Sequence, residues 1–235
     1  MNSFSPEMFL DLSGTRASDL FKDIIYVWDA VKALPAFIEK IIKPEILGEV
    51  EEGAWLEPGL VQLEEGSRVE RGAIVRGPTI IGRRTVVRTG AYIRGHVMTG
   101  EQCLIGHGTE LRQTLILNQS NVPHQNCVFT SLLGNRVKLA GVVNTANLRG
   151  DGKEVLIQID LGGEKKSFST GQVLFGAVIG DDTNIGGHSM LNPGCLIGKR
   201  CIIYPGCFIS GYIPHDSIVK SKFFSLEVIP RTEKV

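Results

Sequence analysis

A branched aliphatic residue returns at every sixth position over long stretches of this 235-residue chain. Leu63, Val69, Val75, Ile81, Val87 and Ile93 form an unbroken series; Thr99 interrupts it, and Ile105, Leu111 and Leu117 resume it. A second block runs from Val173 through Ile179, Ile185, Leu191, Ile197 and Ile203 to Ile209. A second, usually small side chain follows four residues later, as at Ser67, Ala73, Thr79, Thr85, Ala91, Cys103 and Thr109, then at Ala177, Thr183, Ser189, Cys195, Cys201 and Cys207. A period of six fits neither an amphipathic helix nor a heptad coil. It is a multiple of the strand period of two with room for a turn in each unit, which is the pattern of a β-solenoid.

In such a coil each unit supplies a short strand and a turn, with the aliphatic side chain inward and the small one near a corner where the interior narrows. Gly82, Gly106, Gly180, Gly186 and Gly198 follow aliphatic positions, as a crowded turn prefers a residue without Cβ. The fold expected is all-β, a parallel β-helix, with a short helical segment before it.

The repeat divides the chain. Residues 1–45 read as an N-terminal helical cap, because Leu20, Ile24, Val27, Trp28 and Val31 stand at helical spacing, with Ser18 as N-cap and Pro35 ending or kinking the helix. The apolar face is expected to cover the open end of the solenoid. Residues 46–147 form the first block of the coil and 173–214 the second. Between them, 148–172 leaves the six-residue phase, and "EVLIQID", Gly-Gly and "EKKSFST" predict a hairpin arm. Residues 215–235 form a tail in which Phe223, Phe224 and Leu226 suggest packing back.

Lys plus Arg and Asp plus Glu both number 25, so the formal charge is zero and gives no reason to expect nucleic acid or an anionic membrane as partner. No apolar run approaches the roughly 20 residues of a membrane-spanning helix, and the N-terminus lacks the pattern of a signal peptide. The five cysteines form no CxxC pair. These features read as a cytoplasmic protein with reduced thiols, and Cys195, Cys201 and Cys207 as small interior residues.

The repeat resembles that of the hexapeptide-repeat acyltransferases, whose fold is a left-handed parallel β-helix with three hexads per triangular coil, an exception to the usual right-handed crossover. The run "AYIRGHV…TELRQTLILNQSNVPHQNCVFTSLLGNRVKLAGVVNTANLR" and the later "STGQVLFGAVIGDDTNIG" are similar to the acetyltransferase half of bifunctional UDP-N-acetylglucosamine pyrophosphorylase/glucosamine-1-phosphate acetyltransferases and to related sugar-1-phosphate nucleotidyltransferases. That resemblance implies a homotrimer with active sites between neighbouring coils. It also implies acetyl-CoA as co-substrate and a sugar-phosphate or sugar-nucleotide small molecule as ligand.

Residue by residue, the resemblance places the general base on His124, within "NVPHQNC". An ammonium has no lone pair, so an imidazole titrating near neutrality suits the removal of its proton. Arg94 falls where the family binds the sugar phosphate, and Arg112 where it has a lysine beside the same group; Asn147 matches a substrate-binding asparagine. The 18-residue separation of Arg94 and Arg112 is one full coil, so both should stack on one face. Gly141 and Gly187 fall in segments that lie along acetyl-CoA.

The chain also departs from the pattern. Cys127 stands for a substrate-contacting tyrosine, Lys138 for an asparagine, Ala140-Gly141-Val142 for Gly-Ala-Gly, and Phe129-Thr130-Ser131 for Gly-Asp-Ser. These departures keep a second reading open, a non-catalytic trimeric scaffold or sugar-nucleotide-binding regulator. His96 and His107 read as turn residues on the outer surface. The zinc-binding carbonic anhydrases of this fold carry paired histidines five apart, which this chain lacks. A nucleophilic Cys127–His124 pair is conceivable from their spacing.

Overall fold

The computed structural model describes residues 4–161 and 164–222, with no side-chain description for 160–165; the calls on Gly162-Gly163 and on Phe223, Phe224 and Leu226 lie outside the described residues. Among them the chain is a parallel β-helix, wound so that short strands of successive coils pair in register. One face is a nine-stranded parallel sheet running from Glu49–Val50 to Ile218–Val219. The other two faces merge into a 14-stranded sheet, because Glu110–Ile116 and Cys127–Leu133 run continuously around the corner between them.

The aliphatic positions read from the repeat fill one interior column. Leu63, Val69, Val75, Ile81, Val87, Ile93, Ile105 and Leu111 are fully buried together. The small positions lie with them, including Cys195, Cys201 and Cys207. Burial raises the Cys103 thiol to about 11 and the Cys195 thiol to about 12, so both stay protonated and inert.

Two aliphatic positions differ from the six-residue reading. Register partners are 18 residues apart up to Ile93 and Leu111, then 17 apart, as at Leu111 and Val128 or His107 and His124. The coil before turns this corner with two residues of positive φ, Gly95 and His96, whereas Gln113 and Thr130 each turn it alone. The lost residue shifts the phase by one, so Ile116 takes the interior place and Leu117 faces the N-terminal segment. Val173 also lies outside the interior and is 49% exposed, since the coil resumes only at Ala177–Ile179.

The N-terminal segment lies along the third face, where the sequence suggested an end cap. Ile80, Met98, Leu115, Leu132, Val178 and Leu196 form an outward-facing column on consecutive coils, linked by register. They are buried against Phe9, Trp28, Val31, Leu34 and Ile38. Full burial of side chains of this size is worth about 1.5–3 kcal/mol each, which makes this a second core. The hairpin Leu156–Leu161 with Glu164–Ser169 is antiparallel as expected, and it folds over this layer, with the Phe168 ring 5.7 Å from Phe4 and 6.0 Å from Trp28.

The helical spacing read over residues 17–34 belongs to two elements, and Pro35 does not end the second. A 3-10 turn, Arg16–Phe21, is capped by Thr15, whose hydroxyl accepts from Ala17 N–H, in place of Ser18. The α-helix Asp29–Ile41 then carries Pro35 inside it. Proline removes the donor that would have served the Val31 carbonyl. Gln113 Nε2 donates to that oxygen at 3.2 Å, so the residue that shortens the coil also repairs the helix.

A polar clip fastens the segment to the coil. Asp181 is 2% exposed, and its Oδ1 accepts from Asn135 N–H at 2.7 Å and from Asn135 Nδ2 at 3.1 Å. Its Oδ2 accepts from Asp11 N–H. Asp181→Ala would strand these buried donors, each costing about 1–3 kcal/mol, so urea unfolding should show a loss of about 3 kcal/mol or more. Close by, His215 Nδ1 accepts from Lys199 N–H at 2.9 Å. Burial first, and then Arg200 and Lys199, hold this imidazole below its usual pKa. The folded state therefore prefers neutral His215 while the unfolded chain takes a proton near 6.5. The contribution is complete above about pH 6.5 and is lost as pH falls below it. Urea midpoints measured between pH 7.5 and 5 should decline in that window, and His215→Gln should flatten the decline.

Candidate active site

The strand Asn121–His124 ends on the corner between the nine-stranded face and its neighbour, where Gln125 adopts a φ of 48° and the chain enters Cys127–Leu133. His107 is the register partner of His124 in the preceding coil. The corner then continues through Gly141, since Val142 N–H donates to the His124 carbonyl at 2.9 Å, and through Gly187, since His188 N–H donates to the Gly141 carbonyl at 3.0 Å. His107, His124, Gly141 and Gly187 thus stand in one column along the coil axis. Gly141 and Gly187, both assigned to the cofactor path by the sequence, are 46 positions apart by chain and become neighbours because the hairpin leaves the coil between them.

Close approach explains two of the glycines here. A Cβ on Gly106 would collide with the Pro123 carbonyl, and one on Gly187 would lie 2.9 Å from the Gly141 oxygen, whereas one on Gly141 would make an ordinary contact with His124 at 3.6 Å. Beyond His124 the column carries no side chain at Gly141 and Gly187, with Val142 and the exposed His188 on the turn beside them. Asn126, fully buried inside the turn, accepts the Val143 N–H on its Oδ1 at 2.7 Å and pins the His124 corner to the Gly141 corner. Its Nδ2 has no partner among the described residues.

The two imidazoles differ. His107 Nδ1 lies 2.8 Å from the Thr89 carbonyl oxygen. A carbonyl only accepts, so Nδ1 carries the proton and the neutral ring presents its lone pair on Nε2. The His124 ring is exposed and has no hydrogen-bond partner among the described residues. His96 is elsewhere, 3.1 Å from Glu39 of the helix.

Around the corner from His124, Cys127 stands between Glu110 and Asn144 in the outward column of the second face. Burial and then the Glu110 carboxylate raise its thiol pKa, which disfavours the thiolate a nucleophile needs. The next outward column carries Arg94 and Arg112 in consecutive coils, because Leu111 is the partner of Ile93. Arg94 is ion-paired with Glu110 at 2.8 Å; Arg112 is exposed and has no ion-pair partner among the described residues. Lys138 sits on the other side of the corner, exposed, between Asn121 and Asn184. Asn147 is less available: its Nδ2 donates to Thr130 Oγ1 at 2.9 Å. It lies where the chain leaves the coil, beside a cleft of about 370 Å³ lined by Ala146, Arg149, Asp151, Leu156 and Asn192.

Sequence reasoning read His107 as an outer turn residue and did not single out Glu110 or Asn126. The first had a signal, since it precedes His124 by 17 residues, one of the shortened coils; the other two become visible only through register. No helix among the described residues is long and apolar enough to cross a membrane.

Comparison with known proteins agrees with the repeat. The bacterial transferase hexapeptide family (six repeats) matches residues 176–211. Over 224 residues the chain is 31% identical to the bifunctional protein GlmU of Methanococcus aeolicus, covering 95% of this chain and 52% of that protein. It is 27% identical over 198 residues to the bifunctional sugar-1-phosphate nucleotidylyltransferase/acetyltransferase of Sulfurisphaera tokodaii, covering 84% and 48%. Among solved structures, the UDP-N-acetylglucosamine acyltransferase of Campylobacter jejuni matches with a TM-score of 0.41 and 15% identity, covering 71% of this chain and 69% of that one. The chain spans about half the length of the curated relatives it matches.

The fixed imidazole gives a direct test. Long-range nitrogen–proton NMR of the neutral protein should find His107 in the Nδ1–H form; an Nε2–H signal for this ring would contradict the Thr89 contact.

Proposed function

We propose that this chain, which carries the hexapeptide repeat and is similar over most of its length to sugar-1-phosphate nucleotidylyltransferase/acetyltransferases, is an acetyl-CoA-dependent N-acetyltransferase acting on an amino-sugar phosphate such as glucosamine 1-phosphate. The observation that carries this reading is the column of His124, Gly141 and Gly187 on one corner, two outward columns from Arg94 and Arg112. The pantetheine arm of acetyl-CoA would run along the coil axis over Gly141 and Gly187, which carry no side chain, beside Val142 and His188. The guanidiniums of Arg94 and Arg112 supply planar donors for a phosphate, and Arg112 has no internal carboxylate to compete with it.

The chemistry follows from these placements. His124, unencumbered by an internal hydrogen bond, takes the proton of the substrate ammonium. The freed nitrogen lone pair forms a bond to the thioester carbonyl carbon. The carbon–sulfur bond then breaks, the departing CoA thiolate takes a proton from the imidazolium, and the acylated nitrogen releases its second proton to solvent to leave a neutral amide. Holding the phosphate on the arginine column fixes the amine relative to His124, an orientation effect that a free base in water lacks. Lys138 and Cys127, on either side of the corner, would contact the sugar. The active unit is a homotrimer in the cytoplasm, with the exposed corner of one coil facing its neighbour.

Purified protein mixed with acetyl-CoA and glucosamine 1-phosphate should release CoA and yield a product heavier by one acetyl group. His124→Ala should lower kcat by about 10²–10⁴-fold, the usual worth of a general base, while Arg112→Ala should chiefly raise KM. An absence of turnover across a panel of amino-sugar phosphates and nucleoside-diphosphate amino sugars would overturn the enzymatic reading. Full activity of His124→Ala would overturn the assignment of the base alone.

A further inference from the structure

The arginine column extends beyond the two residues so far used. Arg76 and Arg94 are register partners, and Arg112 follows in the next coil. All three are exposed, while Val75, Ile93 and Leu111, the residues just before them, are buried. Strand alternation therefore points all three guanidiniums out of the same face. With coils about 4.8 Å apart, three like charges stand within roughly 10 Å of one another. That arrangement is unfavourable unless an anion lies along it.

The internal anions offset the row only in part. Glu110 engages Arg94. Glu57, the register neighbour of Arg76 in the coil before, accepts the Gly77 N–H on Oε2 at 3.0 Å and keeps its charge, which leaves three guanidiniums against two carboxylates along the column. Neither Arg76 nor Arg112 has an ion-pair partner among the described residues. The Arg76 guanidinium instead lies 5.9 Å from the ring centroid of Trp55, an indole that is 45% exposed.

Resting on the reading of Arg94 and Arg112 as phosphate ligands, we propose that Arg76, Arg94 and Arg112 form one extended site for a diphosphate ester, with Trp55 at its far end as a stacking surface for a nucleobase. The acceptor class is then a nucleoside-diphosphate amino sugar. The dimensions agree: from the coil of Trp55 to that of Cys127 is four steps, roughly 19 Å at the spacing of paired strands, the reach of an extended sugar nucleotide. Base, diphosphate and sugar would run in that order toward His124. A coenzyme A molecule also contains a diphosphate, but the corner at Gly141 and Gly187 lies on the opposite side of His124 along the axis. The donor and the arginine column therefore occupy different ends of the site.

Isothermal titration of the full chain with inorganic phosphate, pyrophosphate, UDP and CoA tests this. Pyrophosphate and UDP should bind at least roughly tenfold tighter than phosphate, as charge-assisted guanidinium contacts allow. Arg76→Ala, at an exposed position that leaves the unfolding midpoint unchanged, should erase that advantage and keep phosphate binding. Trp55→Ala should weaken UDP and spare pyrophosphate, and CoA should not displace pyrophosphate. Equal affinity for phosphate and pyrophosphate, or an Arg76→Ala variant that binds as wild type does, overturns the extended site while the monophosphate reading stands. Displacement of pyrophosphate by CoA assigns the row to the donor and also overturns it. If phosphate itself fails to bind, or binds independently of Arg112→Ala, the underlying reading of Arg94 and Arg112 falls first.

Discussion

The parallel backbone ladder between consecutive coils determines where every functional side chain in this protein stands. Each strand hydrogen-bonds to the same position one coil earlier and one coil later, so any residue type repeated at the coil length becomes a column on the surface. Interior columns of Val, Ile and Leu supply the apolar burial, and the small positions beside them keep neighbouring coils close. Outer columns are then free to carry chemistry at no cost to the core: three arginines on one, two imidazoles and two glycines on another. The spacing between functional groups is accordingly quantised, near the separation of paired strands along the axis and near two residues of strand across it.

The coil is regular until the chain breaks its own rule. The coils that hold His107, His124 and Gly141 are one residue shorter than those before them. The shortening occurs at the opposite end of the second face, where Gln113 and Thr130 turn alone. Its consequence is a continuous strand around that corner and a rotation of Leu117 out of the interior, onto the N-terminal layer. Gln113 links the two events directly, since its side chain completes the helix that Pro35 interrupts. The layer on the third face, the shortened coils and the hairpin that closes over them are thus one coupled arrangement that leaves the His124 corner uncovered.

The architecture was legible in the sequence because a period of six survives single substitutions and phase errors. Thr99, which looked like an interruption, occupies the interior all the same, with its hydroxyl accepting from Gly82 N–H. The one-residue deletion was not legible, because Ile116 and Leu117 are both large and apolar and either could have kept the phase. The position of the N-terminal segment was also hidden. The stripe it covers, Ile80, Met98, Leu115, Leu132, Val178 and Leu196, recurs only once per coil, at intervals of 17, 18 or 46 residues, and no short sequence window contains two of its members. The placement of His124, Arg94 and Arg112 could be anticipated from resemblance and coil length. The clasp by Asn126, the tautomer of His107 and the pairing of Glu110 with Arg94 depend on which coil neighbours which, and that is set by the shortened turns.

The chemical character of the corner follows from the same packing. A Cβ at Gly106 or Gly187 would strike the adjacent coil, so those places cannot carry side chains. The imidazoles are tolerated because their side chains leave the corner outward, where His107 can reach the Thr89 carbonyl and His124 reaches nothing internal. Along the axis His124 is followed by Gly141 and Gly187, and around the corner Cys127 holds a thiol kept protonated by burial and by Glu110, between Glu110 and Asn144. What each of these groups can meet is therefore decided by the column it stands in and by its neighbours one coil away.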